Sequence, residues 1–191
     1  MPRRPLTLLP LLALTGCLSR YLDAPYVLTT GLAGATQIDW GPEPGTFIVS
    51  TKTGPKLVDQ TGAIVDSPTS KPTKEPLHPG ALTSIVTDEG VLWADAAGAL
   101  RLDETVILTG LVRPRGLTCD RLHRNYIVSG EAEPALYRVD GDHLTLIANW
   151  VGPVVDVAWG SGGWLATNAL YLLREDGVLE YLQPPGVPVA P

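Results

Sequence analysis

Four aspartates, Asp39, Asp88, Asp120 and Asp156, recur near the ends of short apolar runs. Carboxylates gathered by such a repeat could hold a hard cation such as Ca²⁺, and a cation can activate water for hydrolysis. Aspartate also caps turns through its side chain, and the offsets favour that role. Asp39 precedes Trp40-Gly41, whereas Asp88 and Asp120 begin turns. His78, His123 and His143 fall in three separate stretches, none with a second histidine at ligand spacing. The chain has no HExxH or CxxC and no GxSxG. Residues 160–163, Gly-Ser-Gly-Gly, read as a tight turn between Trp159 and Trp164. No glycine-rich phosphate loop precedes a helical pattern. No catalytic set emerges, and no cofactor is expected.

A second group of residues has binding chemistry. Arg113, Arg115, Arg121 and Arg124 fall within twelve residues, and only Asp120 opposes them. Guanidinium groups recognise carboxylates, phosphates and glycan acids. The four are the candidate ligand or partner patch, set against ordinary solvated surface charge as the plain alternative. They stand on an acidic background of formal charge −6, which makes nucleic acid a poor partner.

Two cysteines remain. Cys17 ends a segment that starts with Arg3 and Arg4 and runs through Leu6, Leu8, Leu9, Leu11, Leu12 and Leu14 without a charge. A basic start and a short apolar run have the form of a signal peptide. The run is well short of the roughly 20 residues that span a bilayer. Leu14-Thr15-Gly16-Cys17 resembles the lipobox of bacterial lipoproteins. That resemblance implies that residues 1–16 are removed, that Cys17 carries a diacylglyceryl group on sulphur, and that its new amino group is acylated. Two or more acyl chains give stable anchoring. Leu18 after the cysteine, by likeness to enterobacterial lipoproteins, points to the outer rather than the inner membrane. Losing two arginines and no acid takes the formal charge from −6 to −8. Cys119 then has no partner within the chain, and its place in an apolar run, "GLTCD", reads as a structural thiol.

The elements that must position these residues are strands. Short β-like runs alternate with Gly, Pro and Asp, and no stretch keeps a helical period. Residues 135–147, "ALYRVDGDHLTLI", are echoed by "ALYLLREDGVLEYL" at 169–182. "GALRLDETVIL" at 98–108 and "PKLVDQTGAIV" at 55–65 have the same hairpin shape. Each hairpin follows another pair of runs, whose second members begin at Thr46, Val91, Asn125 and Trp164. The repeating unit is therefore four strands, the form of a β-propeller blade. The third unit, "PRGLTCDRLHRNYIVSGEAEPALYRVDGDHLTLI", resembles blades of NHL-type propellers. Propeller lactonases of the related six-bladed class hold metal with acidic and Asn ligands near the channel, which gives the four aspartates their metal alternative.

The expected fold is all-β, a small propeller-like array of about four four-stranded blades, closed or partly open. Expected units are 31–70, 77–110, 111–150 and 151–183, after a signal peptide at 1–16 and a tether at 17–30. Residues 24–32, "APYVLTTGL", resemble 104–111 and read as an extra outer strand that closes the ring or caps the first unit. Residues 66–80 read as an exposed proline-rich loop, and 184–191 as an extended tail. The five tryptophans read as packing between blades, with Trp40 and Trp159 equivalent in the core. The expected function is a lipid-anchored protein of the bacterial cell envelope. It meets the membrane through Cys17 and binds a protein or glycan partner. The rival readings are a metal-assisted hydrolase and an accessory propeller that works inside a larger assembly.

Overall fold

Asp59, Asp95 and Asp120 each close a turn in the same way. The backbone N–H three residues on donates to the aspartate carbonyl: Gly62 to Asp59 at 2.9 Å, Gly98 to Asp95 at 3.1 Å and His123 to Asp120 at 3.0 Å. The carboxylate then takes the next amide, from Ala63, Ala99 or Arg124. The fourth residue has positive φ, 83° and 82° at the two glycines and 60° at His123. A type I turn followed by a left-handed residue joins antiparallel strands, so the repeated spacing sets repeated hairpins.

The structure, a computed structural model, describes residues 26–59, 61–66, 77–149, 153–160 and 169–182. Cys17, the proline-rich run 67–76, Trp150, Trp164, residues 161–163 of the glycine turn and the tail lie outside them. The described residues form four antiparallel sheets and no helix. The first sheet holds β2 (Ala35–Trp40), β3 (Thr46–Thr51), β4 (Gly54–Asp59) and β5 (Ile64–Asp66) in that order. The second holds β6 (Ala81–Thr87), β7 (Gly90–Asp95), β8 (Leu100–Leu102) and β9 (Thr105–Leu108). The third holds β10 (Arg115–Cys119), β11 (Asn125–Ser129), β12 (Ala135–Asp140) and β13 (His143–Asn149). The fourth runs β14 (Val154–Gly160), β15 (Ala169–Arg174), β16 (Leu179–Leu182), and then β1 (Tyr26–Thr29) as its outer strand. This is a four-bladed propeller arrangement that is not closed. The first described strand thus completes the last sheet, with Tyr26 stacked on Tyr181 at 5.4 Å.

Second strands are largely buried on both faces. Phe47, Ile48 and Val49 of β3 and Leu170 to Leu173 of β15 are examples. Such strands read as unbroken apolar runs rather than alternating ones.

Three of the four joints between sheets are apolar. Between the second and third, Ile85 and Leu92 pack with Leu117 and Ile127. Between the third and fourth, Tyr126 and Val128 pack with Val157 and Trp159. Between the fourth and first, Ala158 and Tyr171 pack with Ile38 and Phe47. Among the described residues no apolar cluster joins the first sheet to the second.

The register explains the gap. Asp39 lies opposite Ile48, and Ser84 lies opposite Trp93. Asp39 therefore stands on the face of β2 where β6, β10 and β14 carry Ile85, Thr118 and Ala158. Ser84 stands where β2, β10 and β14 carry Ile38, Leu117 and Val157. The second sheet covers this face from within. His78 stacks on Trp93 at 3.9 Å, Arg101 lies over the same ring at 5.4 Å, and Trp93 Nε1 donates to the Asp103 carbonyl at 2.7 Å. Because β1 leads within a few residues into β2, the fourth and first sheets are held side by side, and the opening falls at the joint between the first and second sheets.

One packing expectation is corrected. Trp159 is buried at 4% exposure, but Trp40, at the equivalent position, is 38% exposed. Trp40 packs only its edge of the joint, 5.4 Å from Phe47, whereas Trp159 stacks over Tyr126 between two sheets.

Candidate functional site

The inner strands β2, β6, β10 and β14 begin at one end of the channel, here the upper end, and finish at the other. Each is the edge of its sheet, so its outer backbone edge faces the channel. The upper cavity is about 620 Å³ and takes residues from all four sheets. Thr36, Gln37, Thr83, Ser84, Arg113, Arg115 and Asp156 supply its polar groups, and Leu82, Ala96, Pro114, Gly116 and Val155 the rest. A lower cavity of about 310 Å³ lies among Asp39, Trp40, Val86, Thr118, Cys119 and Ala158. Ser84 lines both.

The upper cavity is fixed by bonds between sheets. Asp156 is buried, and its Oδ2 accepts the Ile38 N–H of the first sheet at 2.9 Å while Oδ1 accepts that of Val157 at 2.8 Å. Arg115 Nη1 donates to the Val154 carbonyl at 3.0 Å, tying the third sheet to the fourth. Below them Thr118 Oγ1 accepts the Trp159 N–H at 3.0 Å. Gly116 has φ 45°, and a Cβ there would lie 2.5 Å from the Val157 nitrogen. Only glycine lets β10 approach β14 so closely.

The structure divides the four arginines. Arg113 and Arg115 flank Pro114 at the upper cavity. Arg121 and Arg124 lie at the opposite end of β10, in the turn that follows Cys119. Twelve residues of sequence become two ends of one strand. Arg124 is committed to Asp120, with Nε 2.7 Å from Oδ2, and Tyr126 donates its hydroxyl to the same oxygen at 3.1 Å. Burial beside that carboxylate pushes the Tyr126 phenol well above its ordinary range. Arg113 pairs with Glu131 at the surface at 3.3 Å.

The four aspartates are also dispersed. Asp156 is in the upper cavity and Asp39 in the lower one. Asp120 caps its turn in the protein interior. Asp88 is exposed and lies 2.8 Å from His123 Nδ1. Among the described residues no three His, Cys, Asp or Glu side chains come together to hold a metal. Cys119 is half-buried, and its thiol donates to the Asp120 carbonyl. Burial first, then the charges of Asp120 and Asp88, raise its pKa. A raised thiol is a weak nucleophile at neutral pH.

Sequence reasoning missed Gln37, Thr83, Ser84 and the seam they flank. Their polarity on otherwise apolar inner strands was the available signal.

No family model matches the chain, and no curated protein matches it. Among solved structures it is similar to the computationally designed Ika8 protein, at 13% identity and a TM-score of 0.36, over 84% of this chain and 50% of that one. The chain thus spans half the length of that design.

Proposed function

We propose that the protein is a lipid-anchored component of a bacterial cell envelope, most consistent with the outer membrane. In this reading its propeller is a binding module that presents the Arg113–Arg115 mouth to a protein or glycan partner. The third sheet's likeness to NHL-type blades fits a binding role without specifying a ligand.

The supporting observation is the register across the fourth sheet. Tyr26 stands opposite Tyr181, then Tyr171, then Ala158 of the lower cavity. Thr29 stands opposite Leu179, then Leu173, then Asp156 of the upper cavity. The chain therefore enters the domain at its lower end. An anchor at Cys17, nine positions before Tyr26, has a reach of about 30 Å. Such an anchor joins the domain at its lower end, the end opposite the arginine mouth.

The anchor is tested by membrane fractionation of a Cys17→Ser variant. The expected result is an uncut precursor that leaves the membrane fraction. Unchanged processing and fractionation would refute the anchor.

A further inference from the structure

The register-equivalent positions of the four inner strands, Asp39, Ile85, Thr118 and Ala158, meet at the lower cavity. Three of them are apolar or carry a hydroxyl, and the fourth is a half-buried carboxylate. No Lys, Arg or His is among the residues that line this cavity. Asp39 Oδ1 accepts the Trp40 N–H at 2.8 Å, the one hydrogen bond of that carboxylate among the described residues. Lys56, Arg101, Arg113, Arg124, Arg138 and Arg174 contact other carboxylates. A sheltered carboxylate without a cation is suited to one supplied from outside.

Two more carboxylates add negative potential to the same wall. Cys119 lines the cavity, and after burial the charges of Asp120 and Asp88 raise its thiol pKa. Arg124 and His123 pair with those two carboxylates but do not line the cavity.

The remaining walls select among cations. Trp40, exposed and set against Phe47 at 5.4 Å, brings an indole ring to the mouth, and such rings attract cations. Leu77, Ile85, Val86 and Leu117 supply apolar surface for a hydrocarbon stem. With Oδ1 engaged, Asp39 offers its second oxygen, which suits a compact ammonium better than a guanidinium that pairs through two parallel bonds. A divalent metal needs more ligands than the cavity gathers, because no three His, Cys, Asp or Glu side chains come together among the described residues.

We propose that the lower cavity binds a primary ammonium group on an apolar stem, with Asp39 as its counter-charge and the Trp40 ring beside it. A lysine side chain and a free alkyl diamine both carry that chemistry. The site is separate from the arginine mouth at the other end of the channel.

The test is NMR titration of the full-length protein at neutral pH and constant ionic strength, read at the Trp40 indole N–H and the backbone amides of Ile85 and Thr118. The probes are n-butylammonium, n-butanol and n-butylguanidinium. n-Butylammonium should shift these resonances saturably at millimolar concentration, with n-butanol at least tenfold weaker and n-butylguanidinium severalfold weaker. Asp39→Asn should weaken n-butylammonium at least tenfold with the remaining spectrum unchanged. Trp40→Phe should weaken it severalfold, read at the two amides. Glu89→Gln, exposed in the turn after β6 and outside the lining, should leave binding within twofold. Nα-acetyl-lysine methylamide and putrescine then separate the two sources: tighter binding of the first supports a protein side chain, and of the second a free diamine. No response to n-butylammonium, equal binding of n-butanol, tighter binding of n-butylguanidinium, full binding in Asp39→Asn, or an equal loss in Glu89→Gln would each overturn the proposal.

Discussion

Asp156 of the fourth sheet accepts a hydrogen bond from the Ile38 amide of the first at 2.9 Å, joining the two ends of the repeat. Asp156 and Ile38 are both buried, beside the apolar cluster of Phe47, Ala158 and Tyr171. Removing the acceptor leaves a buried N–H unsatisfied, at a cost of about 2 kcal/mol. Asp156→Ala should therefore lower the urea midpoint by that equivalent, and Asp156→Asn by less. A midpoint unchanged in Asp156→Ala would show that the bond does not hold the joint.

Gly116 allows the neighbouring contact. A Cβ at this position would meet the Val157 nitrogen at 2.5 Å and Asp156 Oδ1 at 2.7 Å, and φ is positive as well. Gly116→Ala should cost at least about 2 kcal/mol by strain and displacement of β10 from β14. Chemical denaturation measures this directly, and a neutral substitution would contradict the close approach.

His123 occupies a turn position that is glycine in the turns of Asp59 and Asp95. A left-handed residue with a Cβ costs about 1 kcal/mol, and an exposed contact such as His123 to Asp88 returns little. His123→Gly should raise stability by about 1 kcal/mol in thermal unfolding. A destabilised variant would mean that the histidine contact outweighs the strain.

Asp140 receives two bonds from Arg138, at 2.7 and 3.0 Å, and one from Thr145. The Arg138 bonds hold its carboxyl below the ordinary carboxylate range, with Thr145 adding to the effect. A depressed pKa stabilises the fold fully above the unfolded value of about 3.9, and the contribution disappears as pH falls through the folded value. Wild type should exceed Asp140→Asn in melting temperature between pH 5 and 7, and the gap should close below pH 3. A gap that widens on acidification would reverse the sign.

The repeat was legible in the sequence because each blade restates the same hairpin chemistry. Asp59, Asp95 and Asp120 set the same turn at three different joins, β4–β5, β7–β8 and β10–β11. The run 169–173, which reads in sequence as part of the outer hairpin of its unit, is the second strand of its sheet, beside β14. The seam was less legible. Asp39 and Ser84 look like ordinary polar residues until the register shows that they occupy positions where the other joints carry apolar groups or Thr118. The arginine cluster was misleading in another way. Proximity in sequence along a strand is separation in space, at about 3.3 Å per residue, so β10 sends Arg113 and Arg115 to one end and Arg121 and Arg124 to the other. Trp40 and Trp159 matched in sequence position, but Trp159 stacks on Tyr126 of the neighbouring sheet, whereas Trp40 lies against Phe47 of its own.

That separation provides the most direct test of a binding mouth remote from the anchor. The intact lipoprotein, Arg113→Glu/Arg115→Glu and Arg121→Glu would be recovered from the native envelope with bound partners and compared at equal folding and membrane content. The expected result is a partner complex lost in the double variant and retained in Arg121→Glu. Retention in the double variant, or loss in Arg121→Glu alone, would contradict a binding face at the upper end of the channel.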